Sequence, residues 1–159
     1  MRANYIVLSA LIISLASCSG NDEEQLINTK ASLPASFNFN KMDLKVINSS
    51  INPGKSTMST LYGNQPALEM MKSGKAHQGG EVLALVTWKQ QEDEHWFGAK
   101  IPGALVGIEL IKTSTAPNGG RPDLIYQRYA GSELVLNKDT TGKAKSIQYI
   151  LGQAPSILP

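Results

Sequence analysis

The firmest pattern in the chain is the unbroken apolar run Val82-Leu83-Ala84-Leu85-Val86, preceded by Gly79-Gly80 and closed by Trp88. A run of this length between turn residues predicts a strand over residues 81–88 that is buried on both faces. Three further stretches alternate. Residues 56–62 set Thr57, Ser59 and Leu61 against Met58, Thr60 and Tyr62; residues 105–112 set Val106, Ile108, Leu110 and Lys112 against Gly107, Glu109 and Ile111. Residues 124–129 set Ile125, Gln127 and Tyr129 against Leu124, Tyr126 and Arg128, and each stretch predicts a half-buried strand. The charged residues 89–95 read as a hairpin loop, with the sheet resuming over 96–101 and turning at Pro102-Gly103. Leu68 and Met71 stand at helical spacing after Asn64-Gln65-Pro66, which predicts a helix capped near Asn64, with proline in its first turn and its end at Gly74. The Met70-Met71 pair on that helix reads as core filler rather than a soft-metal or haem ligand. Ile147, Ile150 and Leu151 predict a short C-terminal helix over 141–151. These elements make an α+β fold, mainly an antiparallel sheet with short flanking helices, and no internal repeat is present.

The N-terminal pattern differs in kind. Arg2 and the amino terminus precede an apolar segment over residues 5–16, and Leu15-Ala16-Ser17-Cys18 follows directly. A cationic start, a short apolar run and small residues before a cut site are the three parts of an export signal. The run is shorter than the roughly 20 residues a membrane span needs. The four-residue close resembles the lipobox of bacterial lipoproteins. That resemblance implies a signal peptide over 1–17, diacylation of the Cys18 thiol (palmitate-type chains) and anchoring to a membrane through those chains. Two acyl chains hold a protein stably at a bilayer. Ser19 after the cysteine implies the outer membrane, facing the periplasm. Residues 18–35 are polar, with the acidic cluster Asp22, Glu23 and Glu24, and read as a solubilising tether; 36–159 is one domain.

Composition narrows the chemistry. Cys18 is the only cysteine, so the chain holds no internal disulfide, CxxC metal knuckle or CxxCH haem attachment. The formal charge of +2 falls to about +1 when Arg2 leaves with the signal, and no basic face suggests nucleic acid. His77 and His95 are the only histidines, and no GxSxG elbow, HExxH or glycine-rich phosphate loop accompanies them. No catalytic residue is assigned. His95, beside Asp93 and Glu94, reads as a solvated loop residue, and His77 and His95 are the only candidates for a metal or haem iron. Trp88, Trp96 and Phe97 flank the hairpin together with His95, and aromatics there either close the core or wall a ligand pocket.

The hairpin also carries a family resemblance. Val82-Leu83-Ala84-Leu85-Val86-Thr87-Trp88, followed by Glu92-Asp93-Glu94-His95-Trp96-Phe97-Gly98-Ala99-Lys100-Ile101-Pro102, is similar to the central segment of the cytochrome P460 family. Met58-Ser59-Thr60-Leu61-Tyr62-Gly63-Asn64 and Tyr126-Gln127-Arg128-Tyr129-Ala130-Gly131 add to it. The resemblance implies an exported bacterial protein with a small antiparallel sheet and short helices around a haem. Members with the P460 chromophore oxidise hydroxylamine, using a c-type haem further tied to a lysine. The family's CxxCH near the C-terminus is missing here, since no cysteine or histidine follows Gly131, and no lysine is carried over as the crosslink. The expectation is therefore a membrane-anchored periplasmic lipoprotein that has no covalent haem and binds a small ligand or an envelope protein. One alternative is an oxidoreductase acting on hydroxylamine or nitric oxide with non-covalent haem. Another is a structural envelope lipoprotein.

Overall fold

A computed structural model describes residues 27–76, 78–114 and 122–156. Six strands form one antiparallel sheet: β1 (Lys45–Asn52), β2 (Thr57–Gly63), β3 (Val82–Glu92), β4 (Lys100–Thr113), β5 (Leu124–Ala130) and β6 (Val135–Asn137). They lie side by side in chain order. Helix α1 (Gln65–Ser73) connects β2 to β3, and α2 (Lys143–Leu151) follows β6. The class is α+β, as the patterning predicts.

The period-two pattern sorts side chains onto two faces. On one face Leu61, Leu83, Leu85 and Ile111 are buried under α1 and α2, which contribute Ala67 and Ile150. Met70 and Met71 pack at the edge of this cluster, the filler role their spacing implied. On the other face Ala84, Val86, Trp88, Ile108 and Leu110 are buried beneath the segment running from Ala31 to Leu44. The central strand is thus covered on both sides, which is why its sequence is a continuous apolar run.

Helix α1 has the predicted signals. Asn64 caps it by accepting the Ala67 N–H at 3.2 Å, proline lies in the first turn, and Gly74 ends it at φ 63°. A side chain at that left-handed position would be strained, which glycine avoids.

Four expectations are corrected. The stretch 89–95 is not all loop: β3 runs on to Glu92, paired with Lys100. Its polar residues belong to a strand because β3 still pairs with β4 here, while its side chains over 89–92 are half-buried or exposed rather than part of the core. The sheet does not resume at residue 96; Trp96 and Phe97 sit in the turn and β4 begins at Lys100. Pro102 and Gly103 lie within β4 rather than turning it. A register irregularity between Trp88 and Gln90 opens the ladder there, and a strand residue lacking an N–H is tolerated at such a place. Finally, the tether expected over 18–35 is already docked from Asn28 onward. Asn28 Nδ2 donates to the Pro102 carbonyl at 2.6 Å, and Trp88 Nε1 donates to the Ala31 carbonyl at 2.9 Å. Ala31 and Leu33 then pack on the core.

Phe37, Phe39, Tyr62 and Tyr129 continue this cover as a chain of ring contacts. Phe37 meets Phe39 and Tyr129 edge-on at 5.4 and 5.7 Å between centroids, and Phe39 tilts against Tyr62 at 4.6 Å. Such pairs add about 0.5–1.5 kcal/mol each beyond the area they bury.

Candidate functional site

A recess of about 860 Å³ lies on the helix-covered face, beside Lys145, Ser146 and Tyr149 of α2. Strand register explains it. Ser50, Ser59, Thr87, Gly107 and Ala130 face one another in a single row across β1 to β5. The next two rows on this face carry Leu61, Leu85, Glu109 and Arg128, then Leu83, Ile111 and Tyr126. Side chains shrink toward the row of small residues, which leaves a shelf that no side chain fills. Ser59 and Thr87 hydroxyls are 3.0 Å apart on it.

Gly107 is dictated by its surroundings. A Cβ there would stand 2.2 Å from the Tyr129 carbonyl oxygen, closer than any real contact, and that neighbour is rigid backbone. The shelf therefore keeps its low point as long as β4 and β5 stay paired.

The inner wall of the recess is a polar network. Arg128 Nε donates to Glu109 Oε1 at 3.1 Å and to the Tyr126 hydroxyl at 3.1 Å. Arg128 Nη2 donates to Ser146 Oγ at 3.2 Å, and that hydroxyl donates to Glu109 Oε1 at 3.2 Å. This network ties β4 and β5 to α2, with both charged side chains 22% exposed. Burial raises the Tyr126 hydroxyl above its ordinary value, and the Glu109 carboxylate reinforces the shift.

The outer wall is cationic. Lys55, Lys89 and Lys145 join Arg128 around the recess, while Glu109 is the only carboxylate among the described residues that line it. Glu109 is already matched by Arg128. Among the described residues the three lysines enter no ion pair.

The residues singled out from the sequence do not come together here. Trp88 is buried on the opposite face, against the N-terminal segment. Trp96 and Phe97 stand exposed at the hairpin tip. His95 is beside them with its side chain 87% exposed, its Nδ1 3.5 Å from Asp93 Oδ1. None of the four lines the recess. Among the described residues no group of three or more His, Cys, Asp or Glu is placed to hold a metal. His77 and Cys18 lie outside the described residues. The row of small residues escaped sequence reasoning because each member sits on a different strand. The available signal was the shrinking series along each strand, Leu61 to Ser59, Leu85 to Thr87 and Glu109 to Gly107.

A family model for cytochrome P460 matches residues 39–148, which takes in the whole sheet, α1 and most of α2. The chain belongs to the cytochrome P460 family. Comparison with curated proteins finds no match. The family's haem can be tested against the residues present. Thioether attachment needs two cysteines and the chain has one, Cys18. Around the recess the side chains are aliphatic hydroxyls, the Tyr129 and Tyr149 phenols, one amide, ammonium groups, one guanidinium, the Glu109 carboxylate and aliphatics, with no imidazole, thiolate or thioether among the described residues. This donor set does not fit a covalently held haem with a histidine ligand.

Proposed function

We propose that this is a lipoprotein anchored through acyl chains on Cys18 to the outer membrane, whose periplasmic cytochrome P460 domain binds a small organic anion instead of a covalent haem. The observation that carries the reading is the recess itself: a flat row of small residues, closed on one side by α2, ringed by lysines that no carboxylate neutralises among the described residues. A ligand with a flat apolar body would lie over Ser59, Thr87 and Gly107 against Leu85 and Val106. Its acidic group would meet Lys89 or Lys145. A recess of this size, largely preformed with a few convergent polar groups, is the usual form of a small-molecule site. Binding is the whole of the activity proposed, since no nucleophile or base is assembled at the shelf.

The test uses 8-anilinonaphthalene-1-sulfonate, a flat aromatic sulfonate whose emission rises on binding. The mature protein is titrated beside Thr87→Trp, which fills the shelf, and Lys89→Glu/Lys145→Glu, which reverses the rim charge. Both variants are expected to weaken binding at least tenfold, about 1.4 kcal/mol or more. Affinity unchanged in both variants would overturn the assignment.

A further inference from the structure

We infer that the Trp96-Phe97 tip of the β3–β4 hairpin is a membrane-contacting finger, touching the same lipid surface to which Cys18 is anchored; this rests on the anchoring proposed above.

Three observations lead there. The first is exposure: Trp96 is 72% exposed and Phe97 is fully exposed, so neither contributes to the core. The second is projection. β3 pairs with β2 only as far as Lys89, and β4 pairs with β5 only from Gly107, yet β3 and β4 stay paired out to Glu92 and Lys100. The hairpin thus leaves the sheet as a two-stranded arm, with the two aromatics at its turn.

The third is where the chain enters the domain. Asn28, near the start of the described residues, is hydrogen-bonded to Pro102 on this same arm, five residues from Phe97. Ile27 beside it is 60% exposed. Ten residues separate Cys18 from Asn28 and span at most about 35 Å, while five residues from Pro102 to Phe97 span at most about 17 Å. Asn28 and the aromatic tip therefore lie on the same arm, and a lipid surface holding Cys18 would be within reach of the tip.

The chemistry suits a zwitterionic surface. Tryptophan favours the headgroup level, where its ring is half in apolar surroundings and its N–H meets water. Burying one phenylalanine contributes too little to hold a free domain but enough for one confined to the surface by its anchor. Glu92 is matched by Lys100, while Glu94 stays exposed, so the tip has no attraction to anionic lipid.

The single thiol supplies a test that does not depend on natural acylation. The mature chain, beginning at Cys18, is coupled through that thiol to maleimide-bearing phosphatidylcholine vesicles, with and without brominated acyl chains. Of the two tryptophans, Trp88 is buried and serves as an internal background. In the coupled protein Trp96 emission should shift to shorter wavelength and be quenched by the brominated chains. Both effects should vanish in Trp96→Phe and weaken in Phe97→Ser, while uncoupled protein shows neither. Emission from the coupled protein identical to that in solution would overturn the finger. The mass of the Cys18 peptide from membrane-derived protein reports separately on the anchoring itself.

Discussion

Glu81 is the most informative single side chain to perturb for stability. It is only 3% exposed at the end of the sheet where α1 hands over to β3. Its Oε1 accepts the Gln78 N–H at 2.8 Å, its Oε2 accepts the Gly79 N–H at 3.0 Å, and the Thr113 hydroxyl donates to Oε2 as well. Its own N–H donates to Thr113 Oγ1 at 2.9 Å. The carboxylate thus pins the α1–β3 loop to β4. Burial pushes its pKa up, but the hydrogen bonds from Thr113, Gln78 and Gly79 outweigh it, so the group titrates below its ordinary 4.5. Glu81→Gln keeps the shape and loses the charge. An amide NH₂ in place of Oε2 faces donors from Gly79 and Thr113. Hydrogen bonds to a charged group contribute about 1.5–3 kcal/mol against about 0.5–1.5 for neutral ones. Weakening three of them predicts a loss of about 3 kcal/mol at pH 7, on the order of a 10 °C fall in Tm for a domain of this size.

The pH dependence has a defined sign. Because the folded pKa is depressed, the carboxylate's contribution is fully present above the unfolded value and is lost as pH falls through the lower folded value. Urea unfolding at pH 7 and at pH 2.5 should therefore show a wide gap between wild type and Glu81→Gln at the first pH and a narrower one at the second. Equal gaps at both, or none at pH 7, would refute the clamp.

Three other substitutions separate parts of the structure. Asn64→Ala removes the α1 cap together with bonds from Val82 N–H and to the Gly80 carbonyl, and should lower unfolding free energy by about 1–2 kcal/mol in urea titrations. Gly107→Ala forces β4 from β5 at the Tyr129 carbonyl; a loss of about 1–3 kcal/mol is expected in thermal melts, with weakened sulfonate binding beside it. Ile150→Ala cuts the fully buried contact that docks α2 on the sheet. It should destabilise by about 2–5 kcal/mol in calorimetry and increase hydrogen exchange in α2 ahead of the central strands.

The fold was legible wherever burial on one or two faces imposed a period. β3 announced itself because both its faces are covered, and α1 because Asn64, Pro66 and Gly74 act locally. β1 gave little signal: only Ile47 in it is buried, as suits an edge strand. β6 has three residues, too few for any period. The polar end of β3 read as loop because alternation reports burial, and over 89–92 the side chains are only half-buried or exposed. Trp96 and Phe97 read as either core or pocket wall, because the sequence shows large aromatics but not which side of the sheet, or which end of a hairpin, they occupy. The recess was hidden because it is a row across five strands, set by register.

The most direct test of the central claim is native mass spectrometry of the protein isolated from the membranes of the cells that make it, followed by denaturation. The account predicts an acylated chain starting at Cys18 with no haem mass attached, plus a released small organic acid that competes with the sulfonate probe. A haem retained by the chain, or a recess that neither releases nor takes up any anion, would contradict it.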